Sequence, residues 1–262
     1  MSENTVLMDV QNGVATITLN RPDTHNAFDE HVIAALSGKL DVLRLEKDVH
    51  AVVLRGAGKS FSAGADLNWM KRAAGFTEAQ NKADALVLAG MLNKLYTLPI
   101  VTIACVQGAA MGGGLGLASC CDIVIADKEA LFALSEVKLG LIPATIAPYV
   151  LRAIGERQAR RYFQTGERFS GARAYEIGLV HELADGSDDI EVKLQAILKL
   201  LAANGPQAMK DAKKLCHDLA GQPMTPELMD DTASRIARTR AGGEAKEGLS
   251  AFLEKRKASW TR

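Results

Sequence analysis

Four short apolar runs, separated by segments of helical periodicity, constrain this chain more than any other feature. Ala51 to Arg55 (AVVLR), Ile100 to Val106 (IVTIACV) and Ile123 to Ala126 (IVIA) are short, β-branched and continuously apolar, the pattern of strands buried on both faces. Val14 to Asn20 (VATITLN) alternates instead, as a half-buried strand does. Asn12-Gly13 before it is a hairpin signal that pairs it with Val6 to Val10. Asp29 to Leu45 and Glu78 to Leu95 carry apolar residues at helical spacing. Strands alternating with helices predict an α/β core with crossover connections.

From Arg157 onward the strand signals fade. Ala159 to Gln164, Ala172 to Ile177, Ile190 to Ala203 and Pro206 to Leu219 read as helices. Gly221-Gln222-Pro223 breaks the chain, Pro226 suits the first turn of another helix, and Glu244 to Lys257 is a final amphipathic one. A helical C-terminal third after an α/β core suggests an appendage that packs on the core or on a neighbouring subunit.

Composition removes several function classes. Lys and Arg number 31, as do Asp and Glu, so net charge gives no argument for a nucleic-acid or membrane partner. A local patch at Arg152, Arg157, Arg160 and Arg161 is the one feature that would suit RNA. The cysteines (Cys105, Cys120, Cys121, Cys216) lack zinc-ligand spacing, and the adjacent pair reads as small buried hydrophobes in a reduced compartment. MSENTVLMDV carries no signal-peptide pattern, and the longest apolar stretch, Leu98 to Val106, is far too short to span a bilayer. A cytoplasmic protein is expected.

The chemistry concentrates in GAAMGGGLGLASCCD, residues 108 to 122. Gly112-Gly113-Gly114 follows one predicted strand and precedes Leu115-Gly116-Leu117-Ala118, which reads as the first turns of a helix. A helix N-terminus offers free N–H groups and a positive dipole end, and glycines let a carbonyl approach that backbone. The same arrangement recurs after the strand at Ala51, in FSAGADL (61 to 67). Tight helix–strand packing explains either turn alone; the two together point to an oxyanion hole for an enolate. Nucleotide motifs fail on spacing, since a P-loop ending at Gly58-Lys59-Ser60 would need glycine at Val53, and GxGxxG is absent around residue 112. No GxSxG elbow occurs.

FSAGADL, GAAMGGGLGLASCCDIVIA (108 to 126) and LSEVKLGLIPA (134 to 144) resemble the enoyl-CoA hydratase/isomerase (crotonase) family, and LNRPDTHNAF (19 to 28) and LSAFLEKRKASW (249 to 260) agree with it. The resemblance implies an α/β fold, a spiral of β-β-α units over residues 1–190, with a helical trimerisation region over 191–262. It implies homotrimers or hexamers (dimers of trimers), and acyl-CoA thioester substrates. No metal or redox cofactor is implied, because coenzyme A enters as part of the substrate. By position, Ala65 and Gly113 would supply the oxyanion N–H groups. His25, Ala27, Ala63, Asp66, Leu67, Asn68 and Gly112 would line the substrate and CoA path, largely through backbone. Phe252 and Lys255 would reach the CoA of a neighbouring subunit.

The acid–base residues depart from the family pattern. Its hydratases carry two glutamates; the second matches Glu136, whereas the first falls at position 116, which is glycine. Taken alone, Glu136 would pass for a surface residue in a charged turn; matched, it is the proton-transfer residue. A single carboxylate leaves Δ3,Δ2-enoyl-CoA isomerase, which needs only one base, as the alternative beside short-chain enoyl-CoA hydratase. DLNWMK (66 to 71), CCD (120 to 122), GLIPATIAP (140 to 148) and GERQARRY (155 to 162) resemble bacterial methylglutaconyl-CoA hydratases. Such a substrate brings its own carboxylate, so it is expected to occupy the space left at Gly116, with Lys71 or Arg72 to neutralise it.

Overall fold

A computed structural model of the protein describes residues 5–261. The chain opens with the hairpin β1 (Val6–Gln11) and β2 (Val14–Leu19), turning through Asn12 (φ 51°) and Gly13 (φ 77°). Two left-handed central residues are what a tight two-residue hairpin needs. Ala15, Ile17 and Leu19 of β2 are buried while the residues between them are half-buried.

Helix α1 (Glu30–Leu45) is capped by Asp29, whose side chain accepts from His31 N and Val32 N. Then come β3 (Ala51–Gly56), α2 (Leu67–Ala73) and α3 (Glu78–Tyr96), the last begun by a Thr77–Gln80 capping box. β4 (Val101–Val106), β5 (Ala109–Met111), α4 (Gly113–Cys120), β6 (Ile123–Asp127) and β7 (Leu131–Ala133) follow, and a 3-10 turn covers Glu136–Leu139. Next are α5 (Ala147–Thr165), broken at Gly155 (φ 72°), β8 (Arg168–Ser170), α6 (Gly171–Glu176) and β9 (Glu182–Ala184). Helices α7 (Ser187–Ala202), α8 (Pro206–Leu219), α9 (Pro226–Ala241) and α10 (Gly243–Leu253) close the chain. The expected final helix is shorter than its pattern: the backbone turns left-handed at Lys255 (φ 55°). The boundary expected after residue 190 falls inside α7.

Six strands form one sheet in the order β1-β2-β3-β4-β6-β9, parallel except for the hairpin. Three short strands form a second, β5-β7-β8. Single bridges Phe28↔Ala65 and Ser62↔Ala110 extend the second layer towards the N-terminus. Each turn of the chain thus gives a strand to the large sheet, a short extended piece to the second layer and then a helix. This is the β-β-α spiral that the resemblance implies.

The large sheet is buried on both faces at its centre. One face packs on Leu36, Leu40, Leu92, Leu117 and Val150 of the surrounding helices. On the other, Val53, Ile103 and Ile125 meet Ile190 and Leu194 of α7. That double burial is why β3, β4 and β6 read as unbroken apolar runs. Among the described residues no helix is long and apolar enough to cross a membrane.

Candidate active site

The turn after β3 is held by a ladder that bypasses one amide. Phe28 N donates to Gly64 O at 2.7 Å, and Asp66 N donates to Phe28 O at 2.7 Å. Residues 64 and 66 therefore face Phe28, and Ala65 N–H points to the opposite edge, as alternation along an extended backbone requires. Gly64 has φ 91°, and a Cβ there would stand 2.8 Å from Met111 O and 3.8 Å from Gly113 N. The two glycine turns are in contact.

The second turn begins α4. Gly112 (φ 47°, ψ −114°) is its N-cap, and the first helical bond runs from Gly116 N to Gly112 O at 3.0 Å. The N–H of Gly113 therefore has no acceptor within the helix. Among the described residues neither Ala65 N–H nor Gly113 N–H donates to a protein acceptor. Side chains are excluded here by packing: a Cβ at Gly114 would stand 2.5 Å from Ser62 O, and one at Gly113 would stand 3.0 Å from the Phe28 ring. The glycine run thus seats α4 against the first turn and leaves its N–H end bare.

Glu136, first residue of the 3-10 turn after β7, reaches this end of α4. Its Oε1 lies 3.0 Å from where a Cβ on Gly112 would stand. Its Oε2 is buried without a hydrogen-bond partner among the described residues. Burial raises its pKa above the ordinary glutamate value. A desolvated carboxyl beside free helix N–H groups can move a proton next to a developing oxyanion.

Arg21 and Asn26 build this site, and the sequence reading assigned neither. Arg21 Nη2 donates to Asp66 Oδ2 at 2.9 Å, and its Nη1 donates to Ala27 O at 2.8 Å and lies 3.2 Å from Asp29 Oδ2. Asp66 caps α2, accepting from Asn68 N at 2.8 Å and Trp69 N at 3.3 Å. Burial opposes its ionisation, but Arg21 and those two N–H groups outweigh it and hold the carboxyl below its usual range. Asn26, left-handed (φ 56°) and buried, accepts from Arg21 N at 2.8 Å and donates to Ala57 O at 2.9 Å and Ser60 O at 2.8 Å. The signal was present in LNRPDTHNAF, but which of its polar residues turn inward depends on the fold.

Of the remaining expected residues, His25 lies beside the first turn, with Nδ1 3.1 Å from Ser60 Oγ, and its carbonyl accepts from Ala63 N at 2.9 Å. Leu67 and Asn68 are exposed beyond Ala65. Phe252, 80% exposed, and Lys255 stand at the surface where α10 ends. Gly116 corrects an expectation: no space is left there for a substrate carboxylate. A Cβ at 116 would overlap Ile146 Cγ2 and stand 2.8 Å from Ile146 Cβ. Arg72 is engaged by both carboxylate oxygens of Glu30 at 2.7 Å. A groove of about 790 Å³ between the β1–β2 hairpin and α7 is lined by none of these residues.

Residues 9–262 match the model of the enoyl-CoA hydratase/isomerase family. The chain belongs to that family. An enoyl-CoA hydratase structure from Shewanella pealeana superposes with a TM-score of 0.95 at 44% identity, covering 98% of this chain and 96% of that one. Pseudomonas aeruginosa AtuE gives 0.94 at 37% identity, covering 98% of this chain and all of that one. A putative enoyl-CoA hydratase of Thermus thermophilus is 35% identical over 95% of this chain and 98% of its own length. As an enzyme of the enoyl-CoA hydratase/isomerase family, the chain acts on acyl-CoA thioesters.

Proposed function

We propose that this family member hydrates the α,β double bond of an enoyl-CoA thioester with Glu136 as its one acid–base group. The observation that carries the reading is the buried, unpartnered Glu136 Oε2 beside the bare N–H end of α4. Ala65 and Gly113 N–H polarise the thioester carbonyl and hold the enolate oxygen. One oxygen of the Glu136 carboxyl gives its proton to Cα while the other takes a proton from the water whose oxygen bonds to Cβ. The glutamate ends protonated, as it began, and one water has been added.

The acyl group we assign is 3-methylglutaconyl, as in leucine degradation, or a related glutaconyl group. Its support is the likeness of residues 66–71, 120–122, 140–148 and 155–162 to methylglutaconyl-CoA hydratases. Coenzyme A arrives with the substrate, and the reading requires no further cofactor. The CoA passes His25, Ala27, Ala63 and the backbone at 66–68, with Phe252 and Lys255 of a neighbouring subunit closing over it. Trimers, paired into hexamers, follow from that reading; the exposed Met224, Leu249, Phe252 and Leu253 supply apolar surface for contact. The place of action is the cytoplasm, consistent with four free cysteines.

A second reading, Δ3,Δ2-enoyl-CoA isomerase, is favoured by the filled space at Gly116, since a single base suffices to shuttle a proton between carbons. Incubation in oxygen-18 water with 3-methylglutaconyl-CoA, crotonyl-CoA and a β,γ-unsaturated thioester separates the two. Label in the glutaconyl product, lost in Glu136→Gln, supports the hydratase; a shifted double bond without label supports the isomerase. Crotonyl-CoA as the preferred substrate would replace the glutaconyl assignment with short-chain hydration.

A further inference from the structure

Position 116 lies one helical turn beyond Gly112, on the same face of α4. Gly112 looks onto Glu136 and Gly116 looks onto Ile146. Ile146 is the N-cap of α5, is 2% exposed, and carries a β-branched side chain that is stiff at χ1. Its backbone is held by bonds on both sides, with Ala147 N donating to Pro143 O at 2.9 Å and Val150 N to Ile146 O at 3.1 Å. Admitting a side chain on α4 would therefore require Ile146 to leave its favoured rotamer or its backbone to shift. The helix face beside the acid has no side chain of its own at either glycine, and a residue 30 positions further along supplies the surface.

We propose that Ile146 is a specificity-determining residue: it closes the face of α4 beside Glu136, bars any side chain at position 116, and, almost wholly buried itself, fills the space into which a broader acyl group would otherwise extend. The inference rests on the placement of the thioester proposed above. It accounts for the single carboxylate sterically, because a second one on this helix face has no room. It also predicts that the breadth of the acyl group accepted near Cβ is set by the size of residue 146.

The test uses two readouts on the full-length protein. In thermal melts, Gly116→Ala lowers Tm by several degrees in the wild-type background and by less than half as much in an Ile146→Ala background, the non-additivity expected of contacting residues. In calorimetric titrations with unreactive saturated thioesters, Ile146→Ala shifts the preference for 3-methylbutanoyl-CoA over butanoyl-CoA at least tenfold relative to wild type. Equal stability of Gly116→Ala and wild type, or an unchanged acyl preference in Ile146→Ala, overturns the inference alone. No binding of either thioester by the wild type overturns the placement of the substrate, and the inference with it.

Discussion

Gly112 and Glu136 are fitted to each other: with φ 47° and no side chain, Gly112 leaves the Glu136 carboxylate 3.0 Å from where its Cβ would stand. Gly112→Ala forces a backbone region that costs about 1–3 kcal/mol and pushes the carboxylate off its position. A fall in kcat of at least tenfold with KM little changed is expected from steady-state kinetics, together with a lower Tm.

Glu136→Gln separates catalysis from folding. Loss of the acid–base group should lower kcat about 10²- to 10⁴-fold. Because burial raises the pKa of Glu136 in the folded state, its contribution to stability is fully present below the ordinary glutamate pKa and is lost as pH rises through the raised value. The Gln variant should therefore gain Tm relative to wild type at pH 8 and not at pH 4. A uniform loss of Tm across that range would contradict a desolvated carboxylate.

The pH–rate profile separates the two chemistries. Hydration by the route above needs Glu136 protonated, so kcat/KM should fall on the alkaline side of its raised pKa. Isomerisation starts from the carboxylate and should fall on the acid side. Either limb should vanish in Glu136→Gln.

Arg21→Ala leaves Asp66 buried without its cation. Arg21 is itself partly exposed, so the cost is about 2 kcal/mol, below the usual figure for breaking a buried pair. Asp66, held low, stabilises the fold above its unfolded-state pKa, and that contribution is lost as pH falls. Chemical denaturation should show the variant's deficit at pH 7 shrinking towards pH 3. Arg21→Lys should keep the charge but not the two-pronged contact with Asp66 and Ala27 O.

Phe252→Glu with Leu253→Glu places charge on the exposed end of α10. Sedimentation should show wild type as trimers or hexamers and the variant as smaller species with a raised KM for CoA thioesters. An unchanged sedimentation pattern would remove these residues from the contact.

Much of this was legible along the chain. The buried strands announced themselves as apolar runs because both their faces are covered, the hairpin through Asn12-Gly13 because its turn needs left-handed residues, and the site's loops through their glycines. The second layer was not legible: β5, β7 and β8 are three residues each, too short to show a period of two, and β9 at the edge of the large sheet is equally short. Nor was the end of α10 at Leu253, since Glu254, Lys255, Arg256 and Lys257 are all good helix formers and carry no stop signal before the backbone turns at Lys255.

The sequence by itself determined the family, the alternating architecture and the candidate acid, because these depend on residue types and spacings within one element. Tertiary structure alone decided that Arg21 serves Asp66, that Glu136 lies against Gly112 with one oxygen unpartnered, and that Ile146 fills what Gly116 leaves. Each is a relation between segments distant in sequence, fixed by close packing and by the need of buried polar groups for partners, and no local pattern encodes which distant residue will answer.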